Sequence, residues 1–539
     1  MKDILYIIYG SRTGNSRSIA ELTNRYAKQV ALKTCLLEMK SMEFQLLDKI
    51  HNMLLIVSTH GEGDPPAVAM EFYNYLHDKK RKDLKQLNFS VLALGDSSYK
   101  DYCKTGKDLE KRLLQLGSKK ILPVQECDVD FEEVARDWIK KAVEAHFHLI
   151  QADKQFPSTD FSFDFYVDSQ NTKGEFQVRV KEKRNLCGSD STKKTIHLAF
   201  SLEGVNKQYK PGDSLAIQCT NSRFLVDRLL RKLKFDGTHA IQNNGSIELL
   251  KESLIKHYEL SLLTPVVLKK YASIANIEAL NRIIASSKAI EEYCFNHDVL
   301  DMVSDFPVVI KPEQFLTVLR KLKPRLYSVA SSYNVYPDEV HITLGVMEYN
   351  LKDRSHIGIT SSYLSDRIEV GEMISVYIEN NDSFRLPENT DLPIIMIGCG
   401  TGIAAYRSFL QERAATKSKG DNWLIFGERN SKTDFIYQDE LVRYLESGIL
   451  TSLETAFSRD QAEKIYVQDI ILKQSVEIYN WMENRNATVY ICGNKRTMAI
   501  SIRKALMKVI AKEGKLSKEE VKNYVSKLKS EKRWQEDVY

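Results

Sequence analysis

The chain has 539 residues, is 43% hydrophobic, and sets 77 Lys and Arg against 72 Asp and Glu for a formal charge of +5. That length is too great for one core and predicts three or four domains. So even a charge balance carries no footprint of nucleic-acid binding, and no apolar run approaches the ~20 residues of a membrane-spanning helix.

Eight cysteines with no CxxC or zinc spacing predict a reducing cytoplasm and no structural metal. The opening Met1-Lys-Asp-Ile-Leu-Tyr-Ile-Ile-Tyr-Gly10 has too short an apolar stretch, and no small-residue cleavage site, for a signal peptide. It predicts a buried strand running into a glycine turn. Over the first 147 residues apolar strands alternate with amphipathic helices, and the near-continuous runs 4–8, 54–58 and 90–94 predict parallel strands buried on both faces. Each ends in a polar loop with glycine: Gly10-Ser-Arg-Thr-Gly-Asn-Ser16, Ser58-Thr-His-Gly-Glu-Gly-Asp64 and Leu94-Gly-Asp-Ser-Ser-Tyr99. Loops at the carboxyl ends of parallel strands form the ligand crevice of an open α/β sheet. The first opens a helix predicted over 17–27, which suits an anion site of amides and the side chains of Ser11, Thr13, Asn15 and Ser16; an ordinary capping turn is the plain alternative for one such loop, less so for three in register. The first loop lacks the GK[ST] ending of a triphosphate loop, so a monophosphate such as that of FMN fits and an ATPase does not. Tyr99 and Tyr102 offer rings either to stack on a flat ligand or to pack, and His60 reads as a hydrogen-bonded loop residue rather than a catalyst.

Polar, turn-rich stretches at 151–160 and 168–174 predict a linker and a hairpin entry. Period-two strands follow at 176–181 and 195–200, then a turn at Tyr209-Lys-Pro-Gly-Asp-Ser214 into a strand at 215–218. Residues from about 221 to 322 have helical spacing and predict an insertion within a β domain. Strands resume at 325–331 and 340–346. An apolar strand then ends in Gly398-Cys-Gly-Thr-Gly402, and a later one in Tyr490-Ile-Cys-Gly493. Between them Ser458, Arg459, Lys464 and Tyr466 crowd two cations, a hydroxyl and a phenol into one loop. A solvated charged loop is the plain alternative, but behind a glycine phosphate turn the set suits the 2′-phosphate that separates NADPH from NADH.

These motifs, in this order, resemble those of the diflavin reductases over essentially the whole chain, most of all the flavoprotein (alpha) subunits of NADPH-sulfite reductase, with the microsomal cytochrome reductases more distant. The resemblance implies a flavodoxin-like FMN domain at 1–147 and a linker at 148–172. It further implies a ferredoxin-reductase-like FAD β-barrel at 173–390 carrying the helical insertion, and an α/β NADP-binding domain at 391–539. By the same resemblance FMN falls to Ser11, Arg12, Thr13, Gly14, Asn15 and Ser16, to Ser58, Thr59, His60 and Gly61, and to Leu94, Gly95, Asp96, Ser97, Ser98, Tyr99, Tyr102 and Cys103. FAD falls to Ser261, Arg325, Leu326, Tyr327 and Ser328, to Thr343, Leu344, Gly345 and Tyr349, and to Gly358, Ile359, Thr360, Ser361 and Tyr539. NADPH falls to Gly400, Thr401, Gly402, Ser458, Arg459, Lys464, Ile465, Tyr466, Val467, Gln468 and Ser501. Hydride transfer is implied beside Ser328, Cys492, Asp537 and Tyr539, although a small buried hydrophobe is the commoner fate of a free cysteine.

Residue chemistry agrees with the assignment: Arg325 presents a planar fork to a pyrophosphate, and Gly358–Ser361 offers small residues and amides for the same anion. The chain departs from its relatives at Cys399 and Ala405, where proline is usual, at Tyr406 in place of phenylalanine, at Ser501 in place of aspartate, and at His60, where the microsomal enzymes stack a tyrosine. It also starts at the FMN domain, without the N-terminal extension of the long sulfite reductase subunit. The expected activity is an NADPH-dependent flavoprotein oxidoreductase of the cytoplasm passing electrons from NADPH to FAD to FMN and on to a metalloprotein, with the sulfite reductase haemoprotein favoured. A haem monooxygenase or an iron–sulfur protein is the alternative acceptor. A flavin-binding electron shuttle that no longer oxidises NADPH is the rival of another class. Glu126, Asp128, Asp130, Glu132 and Glu133 form an acidic run expected either to start a helix or to steer a basic acceptor.

Overall fold

A computed structural model describes residues 2–539 apart from 12, 13, 60–62, 79, 100, 158–160, 162–173, 244, 245, 352 and 353. The chain folds into two compact units, residues 1–172 with 224–322, and residues 173–223 with 323–539.

In the first unit β1 (Ile4–Gly10), β2 (Lys33–Glu38), β3 (Asn52–Ser58), β4 (Asn88–Leu94) and β5 (Lys119–Lys120) form a parallel sheet in the order β2-β1-β3-β4-β5, with β6 (Gln125–Cys127) also on β4. Strict alternation divides its side chains between two cores. Leu5, Ile7, Leu54, Ile56 and Leu92 pack on one face against α1 (Asn15–Gln29) and the C-terminal helix of the sheet domain, Glu132–Ile150. Tyr6, Ile8, Met53, Leu55 and Val91 pack on the other, against Ala67–His77 and Lys104–Gln115. Strands buried on both faces read as unbroken apolar runs, which is why 4–8, 54–58 and 90–94 were legible. The order is the flavodoxin-like one, in which the crevice opens where the winding reverses, between β1 and β3.

Two chain segments make the second unit. After β7 (Phe176–Asn185), β8 (Lys194–Ser201) and β9 (Ser214–Ile217) the chain returns to the first unit. There, among the described residues, seven helices between Arg223 and Val318 enclose one apolar core. With them lies an antiparallel hairpin absent from the helical expectation, β10 (Ala240–Asn243) on β11 (Ser246–Leu249). In the second unit β12 (Arg325–Ser328), β13 (Glu339–Val346) and β16 (Met373–Glu379) complete an antiparallel sheet ordered β12-β9-β16-β7-β8-β13, and β14 (Glu348–Leu351) pairs with β15 (Arg354–Ile357). The bridge between Val329 and Ile342 joins the first strand to the last and closes a barrel. A parallel sheet follows, β19 (Ser452–Phe457), β18 (Asn422–Glu428), β17 (Ile394–Cys399), β20 (Thr488–Gly493) and β21 (Trp534–Val538), in that spatial order. Among the described residues no helix is long and apolar enough to cross a membrane.

Candidate functional site

The first cleft lies at the carboxyl ends of β1, β3 and β4. Gly14 caps α1 with φ 87°, a left-handed conformation that glycine adopts freely. Ser11 Oγ accepts from Ser16 N at 3.2 Å. The Ser16 hydroxyl, though fully buried, has no hydrogen-bond partner among the described residues. A hydroxyl without a partner among the described residues, in the first turn of a helix whose N-cap is glycine, fits a phosphate. Ser58 Oγ donates to Gly10 O at 3.4 Å and ties the first loop to the second. Thr59 N donates to Leu94 O at 2.8 Å and ties the second to the third.

The third loop is held by carboxylates. Asp96 Oδ1 accepts from Ser98 N at 2.9 Å and from Ser98 Oγ at 2.7 Å. Buried Asp128 takes Ser97 N at 3.0 Å and also the Ser97 hydroxyl. Gly95 N donates to Cys127 O at 3.0 Å. Tyr99 is 42% exposed. Tyr102 is more enclosed; burial pushes its phenol well up, and Lys107 lies 5.5 Å over its ring. Cys103 and Leu94 are buried: the thiol, pushed up to about 12 by burial, points at Ala93 O, 3.1 Å away, so its place is in the core beneath the loop. Arg12, Thr13, His60 and Gly61 lie outside the described residues.

The acidic run does not make one solvated face, as the steering expectation requires. Asp128 is enclosed by the loop it holds, Glu126 pairs with Lys107 at 2.9 Å, and burial raises the Asp130 carboxyl above its ordinary range. Glu132 and Glu133 alone occupy the first turn of the helix Glu132–Ile150.

The second site lies in the second unit, where the barrel meets the parallel sheet. Ser328 Oγ donates to Asp537 Oδ2 at 2.6 Å. Asp537 is the register partner of Cys492, which is that of Gly398 on the next strand. Cys492 is fully buried, and burial first, then the Asp537 charge, raises its thiol far above the ordinary range. Tyr539 is 51% exposed but anchored: its hydroxyl shares a hydrogen bond with Thr401 Oγ1 at 2.8 Å, and its amide donates to Gly493 O at 3.2 Å. All four residues expected at the hydride-transfer position are therefore neighbours. A side chain at Gly402 would run into the Cys492 carbonyl, so the turn Gly400–Gly402 needs glycine there.

Other expected FAD residues divide. Gly345 faces Thr401, whose Cγ2 would stand 3.2 Å from an added Cβ. Ser361 Oγ accepts from Met347 N at 3.2 Å, and Gly358 N donates to Met347 O at 3.0 Å, so the 358–361 turn is fixed on the end of the barrel strand. Ile359 and Leu344 are core residues. Thr360 donates to Cys219 Sγ at 3.3 Å beside Tyr327, whose phenol burial pushes up. Leu326 is 55% exposed. Arg325 donates to Lys323 O at 3.1 Å, and Tyr349 stacks on His356 at 4.9 Å. Thr343, by contrast, is buried and spends its hydroxyl on Tyr437, 2.8 Å away. Ser261 belongs to the first unit, where Glu259 Oε1 accepts from its hydroxyl at 2.8 Å.

At the nucleotide loop Ser458 N donates to Glu428 O at 2.9 Å and Arg459 N to Arg429 O at 2.8 Å. The Arg459 and Lys464 side chains are exposed and make no ion pair among the described residues. Ile465 and Tyr466 are also exposed, whereas Val467 is buried at the start of the helix Val467–Lys473, with Gln468 next to it. Ser501 lies on the helix Ile500–Glu513. Sequence reasoning missed three charges here. Lys193, from the β7–β8 turn, pairs with Glu428, and Arg429 reaches Thr192 Oγ1 at 3.1 Å; no local pattern marks such long-range partners. The departures have visible counterparts: the Tyr406 hydroxyl donates to Ile397 O (2.7 Å) and Tyr490 O (3.0 Å), strapping β17 to β20, and Cys399 Sγ fills the space over Gly427.

Three family models match in this order: flavodoxin over residues 7–138, FAD binding domain over 168–363 and oxidoreductase NAD-binding domain over 396–504. The chain is similar to the sulfite reductase (NADPH) flavoprotein alpha-component of Bacillus subtilis (strain 168), at 38% identity over 538 residues, 99% of this chain and 89% of the relative. It is also similar to the proteins of the same description from Mannheimia succiniciproducens, at 37% identity covering 99% and 89%, and from Baumannia cicadellinicola, at 36% covering 100% and 91%.

Proposed function

The chain belongs to the family of NADPH sulfite reductase flavoprotein alpha-components, and we propose that it is a diflavin reductase that takes electrons from NADPH through FAD and FMN to the haemoprotein of a sulfite reductase. When bound, the nicotinamide and the two flavins supply the hydride and single-electron chemistry, and the protein supplies placement and electrostatics. The domain division at 147, 172 and 390 follows from the same reading and is supported by the order of the three matched models.

In this function the start of α1, with Ser11, Gly14, Asn15 and the Ser16 hydroxyl, which has no partner among the described residues, holds the FMN phosphate, joined by Arg12 and Thr13. The loops at Ser58–Gly61 and Leu94–Tyr102 enclose the ring. Arg325 and the 358–361 turn hold the FAD pyrophosphate, and Tyr327 closes the ring pocket. Arg459 and Lys464, exposed and without an ion pair among the described residues, take the NADPH 2′-phosphate with Ser458 and Tyr466. Ser328 and Asp537 keep a hydroxyl and a carboxylate in contact beside the reacting atoms, and Tyr539, hinged on Thr401, screens that position from water. The eight free thiols support a reducing, cytoplasmic setting.

The observation that carries the reading is the 2.6 Å bond from Ser328 to Asp537, which brings a barrel strand and the last strand of the nucleotide sheet to one point beside Cys492 and Tyr539. Acid release and chromatography of the loaded protein should yield FMN and FAD in equal amounts, and NADPH should then reduce added sulfite reductase haemoprotein. FAD alone, or a haemoprotein left oxidised, would overturn the proposal.

A further inference from the structure

In the first unit, the loop after β4 is shaped by a residue that lies far away in the chain. Arg320 Nη2 donates to Asp96 Oδ1 at 2.8 Å and stands 3.5 Å from Asp128 Oδ1. These are the two carboxylates that fix Ser97 and Ser98: Asp96 through the Ser98 amide and hydroxyl, Asp128 through those of Ser97. The Arg320 side chain is 7% exposed and that of Asp128 6%, so neither charge is compensated by bulk water. Nor is Arg320 on a loose tether. Its carbonyl accepts from Glu259 N at 2.9 Å, Lys321 bridges to Tyr258, and Leu322 N donates to His257 O at 2.7 Å. The guanidinium is thus held on a rigid short ladder of the helical insertion and presented to the 95–98 loop.

Without that cation buried Asp128 is left facing the Asp96 carboxylate, whose side chain is 34% exposed and free to turn towards water, and either movement releases the amides that the carboxylate holds. We infer that Arg320 is a positioning residue for FMN: it neutralises Asp96 and Asp128 and so keeps the 95–98 backbone in the shape that receives the flavin. This rests on the reading of the first cleft as the FMN site. It means that FMN affinity is set partly by the insertion, outside the flavodoxin-like sheet.

The test uses the full chain stripped of flavin and titrated separately with FMN and with FAD, following flavin fluorescence, for wild type, Arg320→Met and Arg320→Lys. Loss of a charge-assisted contact predicts a Kd for FMN raised about tenfold or more in Arg320→Met, with FAD affinity unchanged. Arg320→Lys, which keeps the charge but not the fork, should recover most of the loss. An unchanged Kd for FMN in Arg320→Met would overturn the inference, and so would a parallel loss of both flavins, which is what general unfolding produces. A wild-type chain that takes up FAD but no FMN would instead overturn the diflavin reading.

Discussion

Replacing Arg407 with methionine removes a side chain that makes several contacts at the seam between the barrel and the nucleotide sheet. Arg407 is 5% exposed. It grips Glu440 with two bonds of 2.7 and 2.9 Å, donates to Ala330 O at 2.6 Å and to His341 Nδ1 at 3.2 Å, and lies 5.0 Å over the Tyr437 ring. Because Nδ1 accepts, the other ring nitrogen of His341 carries its proton towards Glu339, 2.9 Å away, so the imidazole is neutral in this network. Removing one partner of a buried ion pair costs about 3–5 kcal/mol, mostly because the other charge is stranded. Glu440 keeps 21% of its side chain exposed, which places the expected loss near the lower end, about 3 kcal/mol. Urea unfolding followed by tryptophan fluorescence is suited to the measurement, because Trp423, Trp481 and Trp534 all lie in this unit. The midpoint should fall by roughly 1 M, and a second change, Glu440→Met, should restore much of it, since the pair is then replaced rather than broken. A loss under about 1 kcal/mol, or a double variant no more stable than the single one, would refute the reasoning.

Arg459→Ala should raise the Michaelis constant for NADPH about ten- to a hundredfold, the equivalent of one charge-assisted contact, and leave that for NADH nearly unchanged; equal losses for both would detach the loop from the 2′-phosphate. Cys492→Ala should slow flavin reduction in stopped flow while NADPH still binds, and an unchanged rate would return Cys492 to the core. His146, fully buried under the first sheet against Ser90, has its imidazole pushed down to about 4 by burial. The unfolded chain therefore takes up the proton first, so stability is complete above about pH 6.5 and is lost as the pH falls towards 4. About 2 kcal/mol should disappear between pH 8 and pH 5, and His146→Leu should abolish that part of the slope in urea titrations.

Most of the first sheet was legible because strands covered on both faces announce themselves as apolar runs and their glycine loops mark the ligand side. The strand β21 was not, since Trp534-Gln-Glu-Asp-Val538 lies at a sheet edge and carries charges that edge strands tolerate. The hairpin of β10 and β11 was hidden in a helical region, since two four-residue strands are too short to break the helical spacing around them. The glycine turn expected at 398–402 does stand at the end of its strand, β17, because glycine punctuation acts on the local backbone. Thr343 could not: its motif suggested flavin, and only the fold shows its hydroxyl committed to Tyr437. Arg320 and Asp96 are separated by 224 positions, so no spacing rule connects them.

The polypeptide passes between the two units three times, at 172/173, 223/224 and 322/323. The flavodoxin-like sheet is tethered by the first passage alone, whereas the helical insertion packed with it is spliced into the barrel chain at both ends. A protease cut between Gln151 and Lys173 would sever the sheet's only covalent link yet leave it bound to the insertion through non-covalent contacts, the Arg320 ion pairs among them. Buried pairs are screened little by salt, so nicked protein should migrate as one species across ordinary ionic strengths, and Arg320→Met should make the sheet fragment easier to shed. Separation would then loosen the FMN site as well as interrupt the electron path, because the insertion's Arg320 supports the 95–98 loop from outside the sheet.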